Sequence, residues 1–169
     1  MSHLEAFLDI ETTGLSPFAS VITVIGIHLA GRESRFTQLV GEKISGESLL
    51  HALCGAGTLY TYNGSRFDLP FIQARLGVDL TDHFDHRDLM YDCWRCNLYG
   101  GLKGVERQLD INRKITEVSG YDAVRLWWRY VNDYDESALQ TLLEYNREDV
   151  VNLKALKNIL IERTSEAAT

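Results

Sequence analysis

Proline occurs only twice in 169 residues, and nothing in the chain reads as a proline-rich linker, a repeat or a low-complexity tract. Apolar runs are short as well: none approaches the ~18 residues that a membrane-spanning helix requires. The opening stretch MSHLEAFLDI has neither a basic leader nor an uncharged apolar segment, which argues against export. Cysteine is sparse and odd in number, three residues. Without an export signal these read as free thiols in a reducing cytoplasm rather than a disulfide framework. Positive charge is in deficit, with 17 Lys and Arg against 24 Asp and Glu and a net charge of −7. That balance argues against a protein whose whole surface grips a polyanion through basic residues. It leaves room for acids gathered around divalent cations, since two such ions would offset more than half of the excess.

What is present is the composition of one ordinary domain, 45% hydrophobic and 24% charged, of a length that buries a single sizeable core. The pattern predicts three strands in HLEAFLDI, SVITVIGIHLAG and SRFTQLV, the last two joined by GRES as a hairpin. GESLLHALCGA has the helical spacing of Leu49, Leu50 and Leu53, and GTLYTYN is a short apolar strand. DLPFIQARLG reads as a helix with Pro70 in its first turn and Gly77 beyond its end. A brief strand around HFDHRDL follows, then helices, the last from about Glu136 to Arg163. Strands, then helix and strand in alternation, then helices predict a single α/β domain: a mixed five-stranded sheet flanked by helices.

In FLDIETTGL, Asp9 and Glu11 close an apolar run one residue apart. Strand side chains repeat with a period of two, so both acids project from one face while Ile10 turns to the other. Carboxylates held that close raise each other's pKa unless a cation sits between them. Two more acids fall where the predicted architecture leads back to this point. Asp68 follows the fourth strand in YTYNGSRFDLPFI, where a parallel strand would end beside Asp9; alone, it reads as a helix N-cap. Asp149 in LLEYNREDVVNL lies four residues after Tyr145, on the same face of the last helix; alone, it reads as a solvated acid.

Taken in order, Asp-x-Glu, Asn-x-x-x-Phe-Asp from Asn63 to Asp68, and Tyr-x-x-x-Asp from Tyr145 to Asp149 resemble the motifs of the DEDD exonuclease superfamily, in the branch with tyrosine in the third motif. The second motif is similar to that of family B DNA polymerase proofreading domains. DHRDLMYDCWR, GLKGVERQLDINR and LLEYNREDVVNLKAL extend the resemblance to YprB-type ribonuclease-H-like proteins, over roughly Leu4 to Leu160. The resemblance implies a ribonuclease-H-like fold and hydrolysis of phosphodiester bonds in DNA or RNA, releasing nucleoside monophosphates from a free 3′ end. The implied cofactors are two divalent cations, Mg²⁺ or Mn²⁺, which suit hard oxygen ligands and can activate water and neutralise the charge of the transition state. By resemblance Asp9 bridges both ions, Glu11 and Asp149 complete the first, and Asp68 holds the second. A phenol with pKa near 10 is a poor ligand and base, so Tyr145 orients the attacking water instead. Thr12, Thr13 and Leu15 are implied to meet the terminal nucleotide, Leu15 against its base, and Asn63 joins them. GLKGVERQLDINRK carries Lys103, Arg107, Arg113 and Lys114 against Glu106 and Asp110; with Lys103 at its head it is the candidate contact for substrate phosphates, the alternative being a solvated mixed-charge helix. No membrane partner and no small-molecule cofactor is expected.

His83, His86, Cys93 and Cys96 have spacings that a zinc site can use, but their segment is expected to run from strand into helix and spread them over different faces. Trp127 and Trp128 can stack on bases; as neighbours in RLWWRY they more simply give one core residue and one half-buried one. Two rival functions remain open. An endonuclease of the same fold would not need Tyr145, and a non-catalytic nucleic-acid-binding or scaffold domain would not need the full set of acids.

Overall fold

Residues 4–167 are described in the computed structural model. Strand β1 (Leu4–Thr12) carries apolar residues on both faces, which a strand keeps only where both are covered. It is the middle strand of a five-stranded sheet of order β3-β2-β1-β4-β5. β2 (Ile22–Ala30), buried along its whole length, runs antiparallel to β1 on one side and to β3 (Arg35–Val40) on the other. β4 (Ala56–Thr61) and β5 (Asp85–Asp88) continue the sheet in parallel. The predicted mixed sheet is therefore present. Its helices are α1 (Gly46–Ala52), α2 (Asp68–Leu76), α3 (Leu89–Arg95), α4 (Leu102–Gln108), α5 (Gly120–Asp133) and α6 (Glu136–Ala167).

The period of two sorts β1 between two cores. Ala6, Leu8 and Ile10 pack with Ile25, Ile27 and Leu29 against Leu49 of α1 and Leu69, Phe71 and Ile72 of α2. Phe7 faces the other way, under Val150, Leu153, Leu156 and Leu160 of α6. Buried α6 residues recur at steps of three and four, Leu142, Tyr145, Asn146, Asp149, Val150, Leu153, the stripe of a helix laid on a sheet. Gly26 of β2 stands opposite Asp9. A Cβ there would come within 2.3 Å of Asn146 Oδ1 and 2.7 Å of Val150 Cγ2. The missing side chain is what lets α6 approach the sheet beside Asp9.

The turn from β4 into α2 is fixed from the next strand. Asp88, at the end of β5, accepts the N–H of Asn63 at 2.8 Å and of Ser65 at 3.0 Å, and caps α3 through Met90 N–H at 3.1 Å. Asn63 has a φ of 60°, a left-handed conformation that asparagine tolerates. The N-cap of α2 is Phe67, and Asp68 is the first helical residue. The simple capping role for Asp68 is thus replaced. The β1–β4 ladder ends at Phe7 and Tyr60, and past it the Ile10 N–H goes to Asp68 Oδ1 at 3.1 Å. Trp127 packs beside Val24 and Trp128 is 44% exposed, the division expected for neighbouring aromatics.

Gly26→Ala is predicted to cost ~1–3 kcal/mol, the usual scale of overpacking. Gly120→Ala, with nothing within 4 Å of the new methyl, should cost nothing. Urea unfolding of the two variants checks the contrast, and equal midpoints would show that α6 does not depend on the gap at Gly26.

Candidate active site

Ligand-capable oxygens of Asp9, Glu11 and Asp149 all lie within 4.8 Å of one another, the one such acidic, His or Cys grouping among the described residues. Two come from the end of β1 and the third from α6, so the end of the middle strand and the long helix build the group between them. They line a cleft of about 690 Å³ that also contains Asp68, Tyr145, Thr12, Thr13, Leu15 and Asn63. Asp68 shares the cleft but stands outside the close trio. Lys103 borders an adjoining depression with Tyr145 and Asp149. The sequence-predicted residues therefore converge. His83, His86, Cys93 and Cys96 do not: Cys93 is buried in the α6-side core, and His86 Nε2 lies 2.9 Å from Thr61 Oγ1.

Each member of the trio is held differently. Asn146, fully buried, donates from Nδ2 to Asp9 Oδ2 at 3.1 Å and to the Asp9 carbonyl at 3.2 Å. Its own Oδ1 accepts from Gln38 Nε2 at 2.9 Å. Asp149 pairs with Arg113, whose guanidinium also meets both oxygens of Glu106 at 2.8 Å. Glu106 in turn accepts from Asn152 Nδ2 at 3.0 Å. Arg113 and Glu106 are only 5% and 2% exposed at their side chains, so this pair is a buried support rather than the solvent-facing basic patch expected from the sequence. Lys103 is also committed. Its Nζ lies 4.4 Å from the Tyr145 ring centre and donates to the Val118 carbonyl. Glu11 differs from the others: its Oε1 is buried with no hydrogen-bond partner.

Burial dominates the electrostatics. It raises the pKa values of Asp9 and Glu11 well above the usual carboxylate range, and the neighbouring Asp149 raises both further. Burial likewise pushes Asp68 up to about 7, against the opposing hydrogen bond from Ile10. Asp149 is pushed up to about 6 by burial, with Arg113 pulling the other way. The Tyr145 phenol is raised by burial and then by Asp149, and stays protonated at neutral pH. Desolvated carboxylates converging with an unbonded Glu11 oxygen are a donor set for a hard divalent cation, which would relieve both the burial cost and the repulsion.

A family model described as the RNase_H superfamily matches residues 6–161. The chain belongs to the RNase_H superfamily. An uncharacterized protein of Bacillus subtilis (strain 168), YprB, is 27% identical over 166 residues, covering 89% of this chain and 40% of the relative. The chain thus spans well under half of that relative's length. Among solved structures, the family B DNA polymerase of the hyperthermophilic archaeon Pyrobaculum calidifontis matches with a TM-score of 0.73 at 15% identity, over 95% of this chain and 25% of the polymerase chain. Brucella melitensis NrnC with bound Mg²⁺ matches with a TM-score of 0.66 at 22% identity, over 97% of this chain and 75% of the other. NrnC bound to pGG also matches, with a TM-score of 0.66 at 21% identity, over 97% of this chain and 74% of the other. At these identities the likeness is one of fold, the RNase_H-superfamily sheet and its helices.

Several supporting residues were not visible in the sequence. Asn146 sits beside Tyr145, but nothing in its spacing singles it out. Arg113 and Glu106 read as part of a mixed-charge segment because the residues they meet on α6, Asp149 for Arg113 and Asn152 for Glu106, are far away in the chain.

A pH prediction follows from Asp68. Between its ordinary value of 3.8 and about 7, the folded chain keeps a proton that the unfolded chain has lost, so this group's contribution to stability falls as pH rises through that window. Asp68→Asn removes the titration. In EDTA, the melting temperature of the variant relative to the parent should rise from pH 5 to pH 8. A difference constant across that range would contradict a raised Asp68.

Proposed function

We propose that the chain is a metal-dependent 3′→5′ exonuclease that hydrolyses DNA or RNA and releases nucleoside monophosphates. The observation that carries this reading is the convergence of Asp9, Glu11 and Asp149, with an unbonded Glu11 oxygen, in the cleft that also holds Asp68 and Tyr145. Membership of the RNase_H superfamily supports it, as do the Mg²⁺ and pGG bound in NrnC structures of similar fold. Asp9, Glu11, Asp149 and Asp68 would hold two Mg²⁺ or Mn²⁺ ions, which supply charge neutralisation and water activation when bound.

The chain's own groups supply the positioning. Tyr145 keeps its proton and therefore donates a hydrogen bond, orienting the attacking water rather than deprotonating it. Lys103 over the ring and Arg113 at 5.8 Å from its centre fix the phenol in place. Asn146 sets the angle of Asp9, and the Arg113–Glu106 pair sets that of Asp149. Thr12, Thr13 and Asn63 face the terminal nucleotide, while Leu15, 87% exposed at the cleft, offers an apolar surface to its base. An end-acting reaction is favoured over internal cutting by Tyr145, which an endonuclease of this fold does not need.

Oligonucleotides labelled at the 3′ or the 5′ end, incubated with Mg²⁺, Mn²⁺ or EDTA, test this directly. A ladder shortening from the 3′ end and abolished by EDTA is expected; internal cuts would identify an endonuclease. Tyr145→Phe keeps the ring and removes only the hydroxyl. It should lower turnover by ~10²-fold or more, the scale of losing one positioning group in proton transfer, with Mn²⁺ affinity retained. Asp149→Asn should lose both. Parental single-turnover rates in Tyr145→Phe would reduce Tyr145 to a packing residue.

A further inference from the structure

We infer that the outward face of α5 is a track for single-stranded nucleic acid, carrying the strand that lies 5′ of the nucleotide in the cleft. This deepens the exonuclease reading and rests on it, because that cleft supplies the 3′ end.

α5 buries Ala123 and packs Leu126 and Trp127 toward Val24. Its opposite face is aromatic yet open to solvent, with Tyr121 74% and Trp128 44% exposed. At 3.6 residues per turn, Tyr121, Arg125, Trp128 and Asn132 form one line along the helix. Two aromatic side chains flank one cation, Arg125, and the neutral Asn132 ends the line, with no acid on it, in a chain of net charge −7. The nearest acid in the first turn, Asp122, lies off the line, where it accepts hydrogen bonds from the Ser119 N–H and hydroxyl.

The line begins inside the candidate site, because Tyr121 is part of the cleft wall along with Asp9 and Asp149. Seven residues further, Trp128 lies ~10 Å along the axis, about three base steps of ~3.4 Å. Bases stack on aromatic faces with little regard to sequence, and arginine adds contacts to rings and phosphates. A duplex hides the faces of its bases. The track therefore selects a single strand several nucleotides long, beyond what the cleft itself contacts.

Two measurements separate the track from the chemistry. The first is the affinity of a 5′-fluorescein dodecamer, read by anisotropy in Ca²⁺. The second is hydrolysis of a dinucleotide in Mn²⁺, too short to reach Trp128. Trp128→Ala should weaken dodecamer binding about tenfold, within the range for loss of one base stack, while dinucleotide hydrolysis is unchanged. Trp128→Phe should recover most of the affinity. Equal dodecamer affinity in parent and Trp128→Ala overturns the track, and the exonuclease reading then stands or falls separately on the EDTA-sensitive ladder from the 3′ end. Trp128-dependent binding in a parent that hydrolyses nothing keeps the track and removes the exonuclease. If Trp128→Ala halves the sedimenting mass and leaves dodecamer affinity alone, the face joins two copies of the chain and the track is wrong.

Discussion

The carboxyl groups of Asp9, Glu11 and Asp149 lie within 4.8 Å of one another, Glu11 and Asp149 buried and Asp9 half-buried; once ionised they repel each other, and the surrounding fold is arranged to hold them against that repulsion. Burying charge costs several kcal/mol per ion unless it is compensated, so gathering these acids works against efficient packing. β1 supplies two of the acids from the middle of the sheet, where strands on both sides and helices on both faces prevent relaxation. Asp149 arrives on α6, whose Val150 and Leu153 are locked into the core beneath it. The acids cannot separate without disturbing that core.

Partial compensation comes from three arrangements that share no residues. Asn146, reached through the gap at Gly26, steadies Asp9. Arg113, braced by Glu106 and Asn152, offsets the charge of Asp149. Asp68 ties its carboxylate to the backbone of β1 at Ile10. Glu11 receives no such support at Oε1, which is buried without a hydrogen-bond partner. A divalent cation held by these residues would answer that shortfall, because the fold fixes the carboxyl groups and leaves part of their charge uncompensated.

Much of this was legible in the sequence, because the relevant rules are local. A period of two put Asp9 and Glu11 on one face; four residues on a helix aligned Tyr145 with Asp149; a parallel β4 brought Asp68 to the same sheet edge. What could not be read were partners joined across the fold. Arg113 and Asp149 are 36 positions apart, and a cation in a mixed-charge segment gives no sign of being buried. Gly26 looked like one apolar strand residue among others until α6 lay on it. Asp68 was open to a capping role since its sequence context is the same whether it bonds its own helix or the end of β1.

The central claim is that these acids form a shared cation site, and calorimetric titration with Mn²⁺ of the parent and of Asp9→Asn tests it most directly. The account predicts uptake of about two ions per parent chain, the stoichiometry of a two-metal phosphodiester site, and loss of most of that heat in a folded Asp9→Asn. A parent that takes up no Mn²⁺, or an Asp9→Asn variant that binds it as the parent does, would contradict it.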